Sequence, residues 1–129
     1  MNQSDNLVIL VAEDEQYNYL YAAELLKSIN AEVVHARNGQ EAIDACISNS
    51  KIDLVLMDIK MPVKDGLEAT RAIKSMRIDL PVIAVTAYAL SGEKEKFMEA
   101  GFDKYLSKPI RKADLLDAIR EHSPRLHLG

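Results

Sequence analysis

Cysteine is almost absent: Cys46 stands alone in 129 residues, so no disulfide can form within the chain. It sits among Ala42, Ile43 and Ile47 in a helix-like stretch and reads as a small buried hydrophobe rather than a reactive thiol. No run of about 18 apolar residues occurs, which excludes a membrane-spanning helix. The first residues, Met1 to Asn6, are polar and lack the apolar core of a signal peptide. Together these absences predict a soluble, cytoplasmic protein. A basic excess is missing too. Lys and Arg number 16 against 20 Asp and Glu, a net charge of −4, which argues against a generic coat for nucleic acid or membrane. Neither GxGxxG nor GxxxxGK[ST] occurs, so dinucleotide-binding and P-loop readings fail. Linkers, low-complexity tracts and internal repeats are absent as well.

What is present is a chain that is 48% hydrophobic, enough for a sizeable core. A domain of this size buries roughly two-thirds of its unfolded surface and needs no staple. The charge is unevenly spread. Residues 1–65 carry 5 basic and 11 acidic side chains, net −6, whereas residues 66–129 carry 11 and 9, net +2.

Short apolar runs recur at regular intervals: Leu7–Ala12, Val33–Ala36, Leu54–Met57, Pro81–Val85 and Lys104–Leu106. Continuous runs of this length suit strands buried on both faces, as in a parallel sheet. The last is the weakest and is placed mainly by its position in the series. Between the runs lie segments of helical spacing. Tyr17, Tyr21, Leu25 and Ile29 recur every four residues, as do Ala42 with Cys46, Ile43 with Ile47, and Leu115 with Ile119; Leu67, Ile73 and Met76 do so less strictly. Asn38 precedes Glu41, and Asp65 precedes Glu68, by the spacing of a capping box. Gly101 reads as the glycine that ends the fourth helix. Strand and helix thus alternate five times. This predicts an α/β fold, a doubly wound five-stranded parallel sheet of order 2-1-3-4-5 with helices on both faces. Residues 7–122 fill that fold, so residues 1–129 are expected to be a single domain with no room for an effector domain.

In open parallel sheets the ligand site lies at the carboxyl ends of the strands. The first strand runs into Glu13 and Asp14, the third into Asp58, the fourth ends at Thr86, and the fifth at Ser107-Lys108-Pro109. Three carboxylates, a hydroxyl and an ammonium therefore converge on one edge. Each has a plain structural explanation, as a helix cap or a solvated end, but five such accidents at one edge are improbable. Like charges at about 4 Å repel by about 4 kcal/mol at an effective dielectric of about 20. Hard oxygen ligands of this kind suit Mg²⁺ or Mn²⁺. Lys108 neutralises part of the remainder, and such an edge is suited to a phosphate.

These residues resemble the receiver domain of two-component response regulators over nearly the whole chain. The resemblance rests on Glu13-Asp14 after LVILVA, VLMDIKMPVKDG from Val55 to Gly66, VTA from Val85 to Ala87, and DKYLSKPI from Asp103 to Ile110. Asn18, and GLEATRAI from Gly66 to Ile73, are similar to receivers attached to hybrid histidine kinases. The resemblance implies a phosphoacceptor module of a phosphorelay rather than a turnover enzyme. It implies that Asp58 takes the phosphoryl group from a partner's phosphohistidine. Asp14, Asp58 and the backbone carbonyl of Lys60 would bind Mg²⁺ directly, and Glu13 through water. Thr86 and Lys108 would contact phosphoryl oxygens, Tyr105 would be the aromatic switch, and the Lys108–Pro109 bond would be cis. The implied partner is a histidine kinase or histidine phosphotransfer protein, with no direct nucleic-acid contact.

Glu13 stands where Asp is commoner in the family, and Lys64 replaces a frequent apolar residue. Lys60 and Tyr88 flank the expected phosphoryl site. Tyr88 is expected to shield the phosphoryl from water. Helix 4, strand 5 and helix 5 form the expected reporter face, with Glu93, Lys94, Glu95, Lys96, Arg111 and Lys112 as a mostly solvated charge pattern. Tyr17, Tyr19, Leu20 and Tyr21 on the first helix suggest a docking patch for a phosphotransfer partner. The tail Ser123–Gly129, with two His, reads as a frayed end rather than a metal site. Two other readings keep part of the pattern. A receiver used only as a binding module would share the fold. A metal-dependent aspartyl phosphatase would want an acid two residues after its nucleophile, where this chain has Lys60.

Overall fold

The computed structural model describes residues 6–87 and 94–122. Five strands and five helices alternate: β1 Val8–Ala12, α1 Gln16–Lys27, β2 Glu32–Ala36, α2 Gly39–Ser48, β3 Leu54–Asp58, α3 Gly66–Met76, β4 Val82–Thr86, α4 Lys94–Ala100, β5 Lys104–Ser107 and α5 Lys112–His122. All strands are parallel, in the order β2-β1-β3-β4-β5. The predicted sheet is thus the observed one, with strand limits within one residue of expectation.

β1, β3 and β4 are buried along their full length, which is why they read as unbroken apolar runs. Alternate residues feed two cores. Val8, Leu10 and Ala12 join Ala42, Cys46, Ile73 and Phe97 on the face covered by α2, α3 and α4. Ile9 and Val11 join Ala22, Leu26, Leu115 and Ile119 on the face covered by α1 and α5. Cys46 is 1% exposed, and burial pushes its thiol up to about 11, as befits an inert core residue.

The helix starts follow the predicted chemistry. The Asn38 side chain accepts the Glu41 amide at 2.8 Å, and Asp65 accepts that of Glu68 at 2.9 Å. The reciprocal half of the first box is displaced by one residue. Glu41 Oε1 accepts from the Arg37 amide at 2.7 Å rather than from Asn38. Gly101, at φ +107°, ends α4 in the left-handed region that favours glycine.

The period-four stripes are only partly core. On α1 the buried residues are Ala22, Ala23 and Leu26, while Tyr17 and Tyr21 are 79% and 45% exposed. Small alanines let the helix lie close to the sheet but add little to a hydrophobic pattern, so the larger tyrosines dominate the period-four stripe. Ile47 and Met76 likewise stand out to solvent.

Candidate functional site

β1 and β3 pair with Ala12 opposite Met57, so Glu13 emerges level with Asp58. β3 pairs with β4 with Asp58 opposite Val85, and β4 with β5 with Thr86 opposite Ser107. The register alone therefore brings Glu13, Asp58, Thr86 and Lys108 to one edge. This is the crevice where the strand order reverses, the usual ligand position in open α/β sheets.

Asp58 and Thr86 are buried, and so is Glu13 at 6% exposure; Asp14 is exposed. Carboxylate oxygens of Glu13, Asp14 and Asp58 lie within 4.8 Å of one another. The Lys108 ammonium reaches between two of them, 3.4 Å from Glu13 Oε1 and 3.3 Å from Asp58 Oδ2. Burial pushes the Glu13 carboxyl above its ordinary range, and the Asp58 charge adds to this. The Glu15 amide and Lys108 pull it back without cancelling the rise. Burial on its own would lower Lys108, but the Asp58 and Glu13 carboxylates outweigh it and hold its ammonium above the ordinary lysine range. The cluster is short of positive charge, which fits a hard divalent cation held by oxygens. A cavity of about 280 Å³ opens on these groups, lined also by Lys60 and Thr86.

The backbone around the cluster is held from several sides. The Lys60 amide points at Asp58 Oδ1 at 3.4 Å. The loop from Ile59 to Asp65 returns to the sheet through the Gly66 amide, which donates to the Ile59 carbonyl at 2.8 Å. A Cβ on Gly66 would lie 2.3 Å from the Asp58 carbonyl oxygen, so only glycine permits this approach. The Gly39 amide donates to the Lys64 carbonyl at 3.1 Å and fixes the same loop to α2. The Lys108 amide donates to the Thr86 carbonyl at 3.0 Å, and the Lys108–Pro109 bond is cis, as expected.

The sequence pattern points neither to a role for His35 nor to a contact of the Tyr21 hydroxyl. His35 Nε2 lies 2.9 Å from the Glu13 carbonyl oxygen, and its ring stacks on Tyr19 at 3.6 Å. A histidine inside the apolar run of β2 was the available signal. Tyr19 is thus half-buried against β2, whereas Tyr17, Leu20 and Tyr21 of the expected docking patch are exposed. The Tyr21 hydroxyl donates to the Ile110 carbonyl at 2.6 Å. Tyr21, Tyr17, Pro109 and Ile110 flank an apolar groove of about 360 Å³ floored by Leu56 and Val85 and open to the acidic cluster. Tyr105 is half-buried, with its ring edge-on to Phe97 at 6.2 Å. Tyr88 and Glu93 lie outside the described residues, as does the tail 123–129.

A family model for the response regulator receiver domain matches residues 9–120. The chain belongs to this family. Hybrid signal transduction histidine kinase I of Dictyostelium discoideum is 41% identical over 119 residues, which cover 86% of this chain and 7% of that protein. The chain spans only 7% to 13% of the length of the first curated relatives it matches, all of them sensor or hybrid kinases. Among solved structures, the receiver domain of sensor histidine kinase PA1611 from Pseudomonas aeruginosa superposes with a TM-score of 0.84 at 33% identity, covering 91% of this chain and 97% of that one. That receiver carries magnesium in its active-site cleft. The receiver of Ssk1 from Saccharomyces cerevisiae, crystallised with the histidine phosphotransfer protein Ypd1, gives a TM-score of 0.84 at 25% identity, with 92% and 89% covered. The sheet order and the acidic cluster of this receiver domain fit the phosphoacceptor site of the family. No helix among the described residues is long and apolar enough to cross a membrane.

Proposed function

We propose that Asp58 is the phosphoacceptor, taking its phosphoryl group from a phosphohistidine of a histidine kinase or histidine phosphotransfer protein. The observation that carries this reading is the Lys108 ammonium between Asp58 and Glu13, at 3.3 and 3.4 Å, on strand ends brought level by the sheet register. An Asp58 oxygen attacks phosphorus in line with the leaving nitrogen. An O–P bond forms and the P–N bond breaks; its electron pair stays on the imidazole nitrogen, which takes a proton from water. Positioning and charge stabilisation of a loose transition state supply the catalysis. Lys108 pairs with a phosphoryl oxygen, and the Thr86 hydroxyl hydrogen-bonds another.

Asp14, Asp58 and the Lys60 backbone carbonyl would hold Mg²⁺ directly, with Glu13 acting through water. Mn²⁺ suits the same oxygens. Such an ion would supply charge neutralisation at the acceptor carboxylate and the phosphoryl group. The product adds about two negative charges. Contacts made only in that state shift the domain between two arrangements, with Thr86 and Tyr105 as the moving parts. Lys60 and Tyr88 tune the lifetime of the phosphoryl group, Tyr88 by shielding it from water. On this reading residues 1–129 form one receiver domain, a phosphoacceptor rather than a turnover enzyme. It acts in the cytoplasm by contact or phosphotransfer, without touching nucleic acid.

Acetyl phosphate with Mg²⁺ tests this. A mass gain of one phosphoryl group, lost in Asp58→Asn, is the expected result. An unmodified protein would make the domain a binding module, and release of phosphate from simple esters would make it a phosphatase.

A further inference from the structure

Lys108 has to be held in a narrow position if its ammonium is to face two carboxylates at once. The segment that carries it, Lys108–Pro109–Ile110, is anchored at both ends. At one end the Lys108 amide donates to the Thr86 carbonyl at 3.0 Å. At the other the Ile110 carbonyl accepts from the Tyr21 hydroxyl at 2.6 Å, a bond that joins α1 to the loop across 89 residues of sequence. Ile110 itself is buried in the core shared by α1 and α5. No α-helical need explains this tyrosine. The sheet-facing residues of α1 are Ala22, Ala23 and Leu26, and the Tyr21 ring lies at the rim of the groove, 45% exposed.

We propose that Tyr21 is a positioning residue for Lys108: its hydroxyl tethers the loop after β5 to α1 and so fixes the ammonium between Glu13 and Asp58. This inference rests on the reading of Lys108 as the group that meets the phosphoryl oxygens. A tether of this kind makes a definite demand. It acts through Lys108 and not through any donor protein, so it matters equally whether the phosphoryl group arrives on a small molecule or on a histidine. The aromatic ring, in contrast, belongs to the exposed face of α1 and is untouched by loss of the hydroxyl alone.

Tyr21→Phe separates these roles, since it removes one oxygen and keeps the ring. With acetyl phosphate and Mg²⁺, the variant is expected to take up the phosphoryl group three- to tenfold more slowly than the parent, the range of one neutral hydrogen bond. The parent and Asp58→Asn run beside it. Loss of modification in the parent overturns the phosphoacceptor reading, whereas a modified parent with an equally fast Tyr21→Phe overturns only the tether. Coupling to Lys108 is read by calorimetric titration with Mg²⁺, which works however slowly a variant reacts. The fixed ammonium competes with a cation for the same carboxylates. Tyr21→Phe is therefore expected to tighten Mg²⁺ binding about twofold in the parent and to leave it unchanged in Lys108→Met. An equal shift in both backgrounds means that the hydroxyl acts on the fold at large, and the positioning role fails.

Discussion

His35 Nε2 stands 2.9 Å from the backbone carbonyl oxygen of Glu13, so the edge strand β2 grips the first residue of the acidic cluster by a side chain as well as by its backbone. The backbone part is the Glu13 amide, which donates to the Ala36 carbonyl at 2.9 Å. A carbonyl only accepts, so Nε2 carries the hydrogen in this pair. The Tyr19 ring lies over the imidazole at 3.6 Å, 7° from parallel, and keeps it in place. Replacing His35 by Leu removes the donor and is expected to lower stability by about 1 kcal/mol. It also loosens the peptide between Glu13 and Asp14, so Mg²⁺ binding measured by calorimetry weakens severalfold. Tyr19→Ala should act in the same direction, reducing uptake from acetyl phosphate and from a phosphohistidine donor alike. A loss confined to the protein donor would place Tyr19 on the docking face instead.

Gly66 controls the other side of the cluster. A methyl group there would meet the Asp58 carbonyl oxygen at 2.3 Å and the Ile59 Cα at 2.9 Å, both backbone atoms that cannot swing aside. Gly66→Ala must therefore push the start of α3 away from the end of β3. The expected result is a loss of about 1–3 kcal/mol in chemical denaturation, the usual cost of overpacking. Phosphoryl uptake at Asp58 should fall by tenfold or more, because in-line attack tolerates little displacement. Gly101→Ala, far from the cluster at the end of α4, should cost stability without that loss of uptake.

The sheet was legible because strands buried on both faces announce themselves as apolar runs, and because Glu13, Asp58 and Thr86 each follow such a run directly, with Lys108 placed by the position of the weaker fifth run in the series. Placing four groups at four strand ends required only the order of the strands. The buried face of α1 is harder to read, for an equally physical reason. Ala22, Ala23 and Leu26 do the packing, while Tyr17 and Tyr21 add hydrophobic weight and sit at its edge. The His35–Glu13 and Tyr21–Ile110 bonds were illegible because each is a contact between a side chain and a distant backbone carbonyl. No local periodicity encodes such a contact. Side-chain chemistry at strand ends can be read from spacing; the second layer that holds it in place depends on how helices cross the sheet.

The Cys46 thiol offers a pH dependence with a determined sign. Its ordinary value of 9.0 is pushed up to about 11 by burial, against a smaller opposing pull from Arg77. Above pH 9 the unfolded chain releases this proton while the folded one keeps it, so stability is lost as pH rises from 9 to 11. A shift of this size corresponds to about 3 kcal/mol at most. Other groups titrate in this range, so the measurement is a difference. The stability of the parent relative to Cys46→Ala, from denaturant curves, should be constant below pH 8 and shrink through this window. Alkylation of the thiol should track global opening, since the side chain is 1% exposed.

Glu13 is expected to be a cost to the fold in the absence of a cation. Its carboxyl is raised by burial and by the Asp58 charge, so the unfolded chain ionises it at a lower pH than the folded one. That part of the stability is present below the ordinary glutamate value of 4.5 and is lost as pH rises through the higher folded value. Glu13→Gln keeps the shape and removes the charge. In EDTA near neutral pH the variant should therefore be more stable than the parent, by about 0.5–2 kcal/mol, the range common for relief of a functional strain. Saturating Mg²⁺ should reverse the order, because the ion stabilises the state that binds it and the variant binds it less well. Thermal melts of both proteins with and without the ion decide the point. A Glu13→Gln variant less stable than the parent in EDTA would mean that Lys108 gains more from the Glu13 carboxylate than burial takes away, and that the cluster is held together by the ammonium alone.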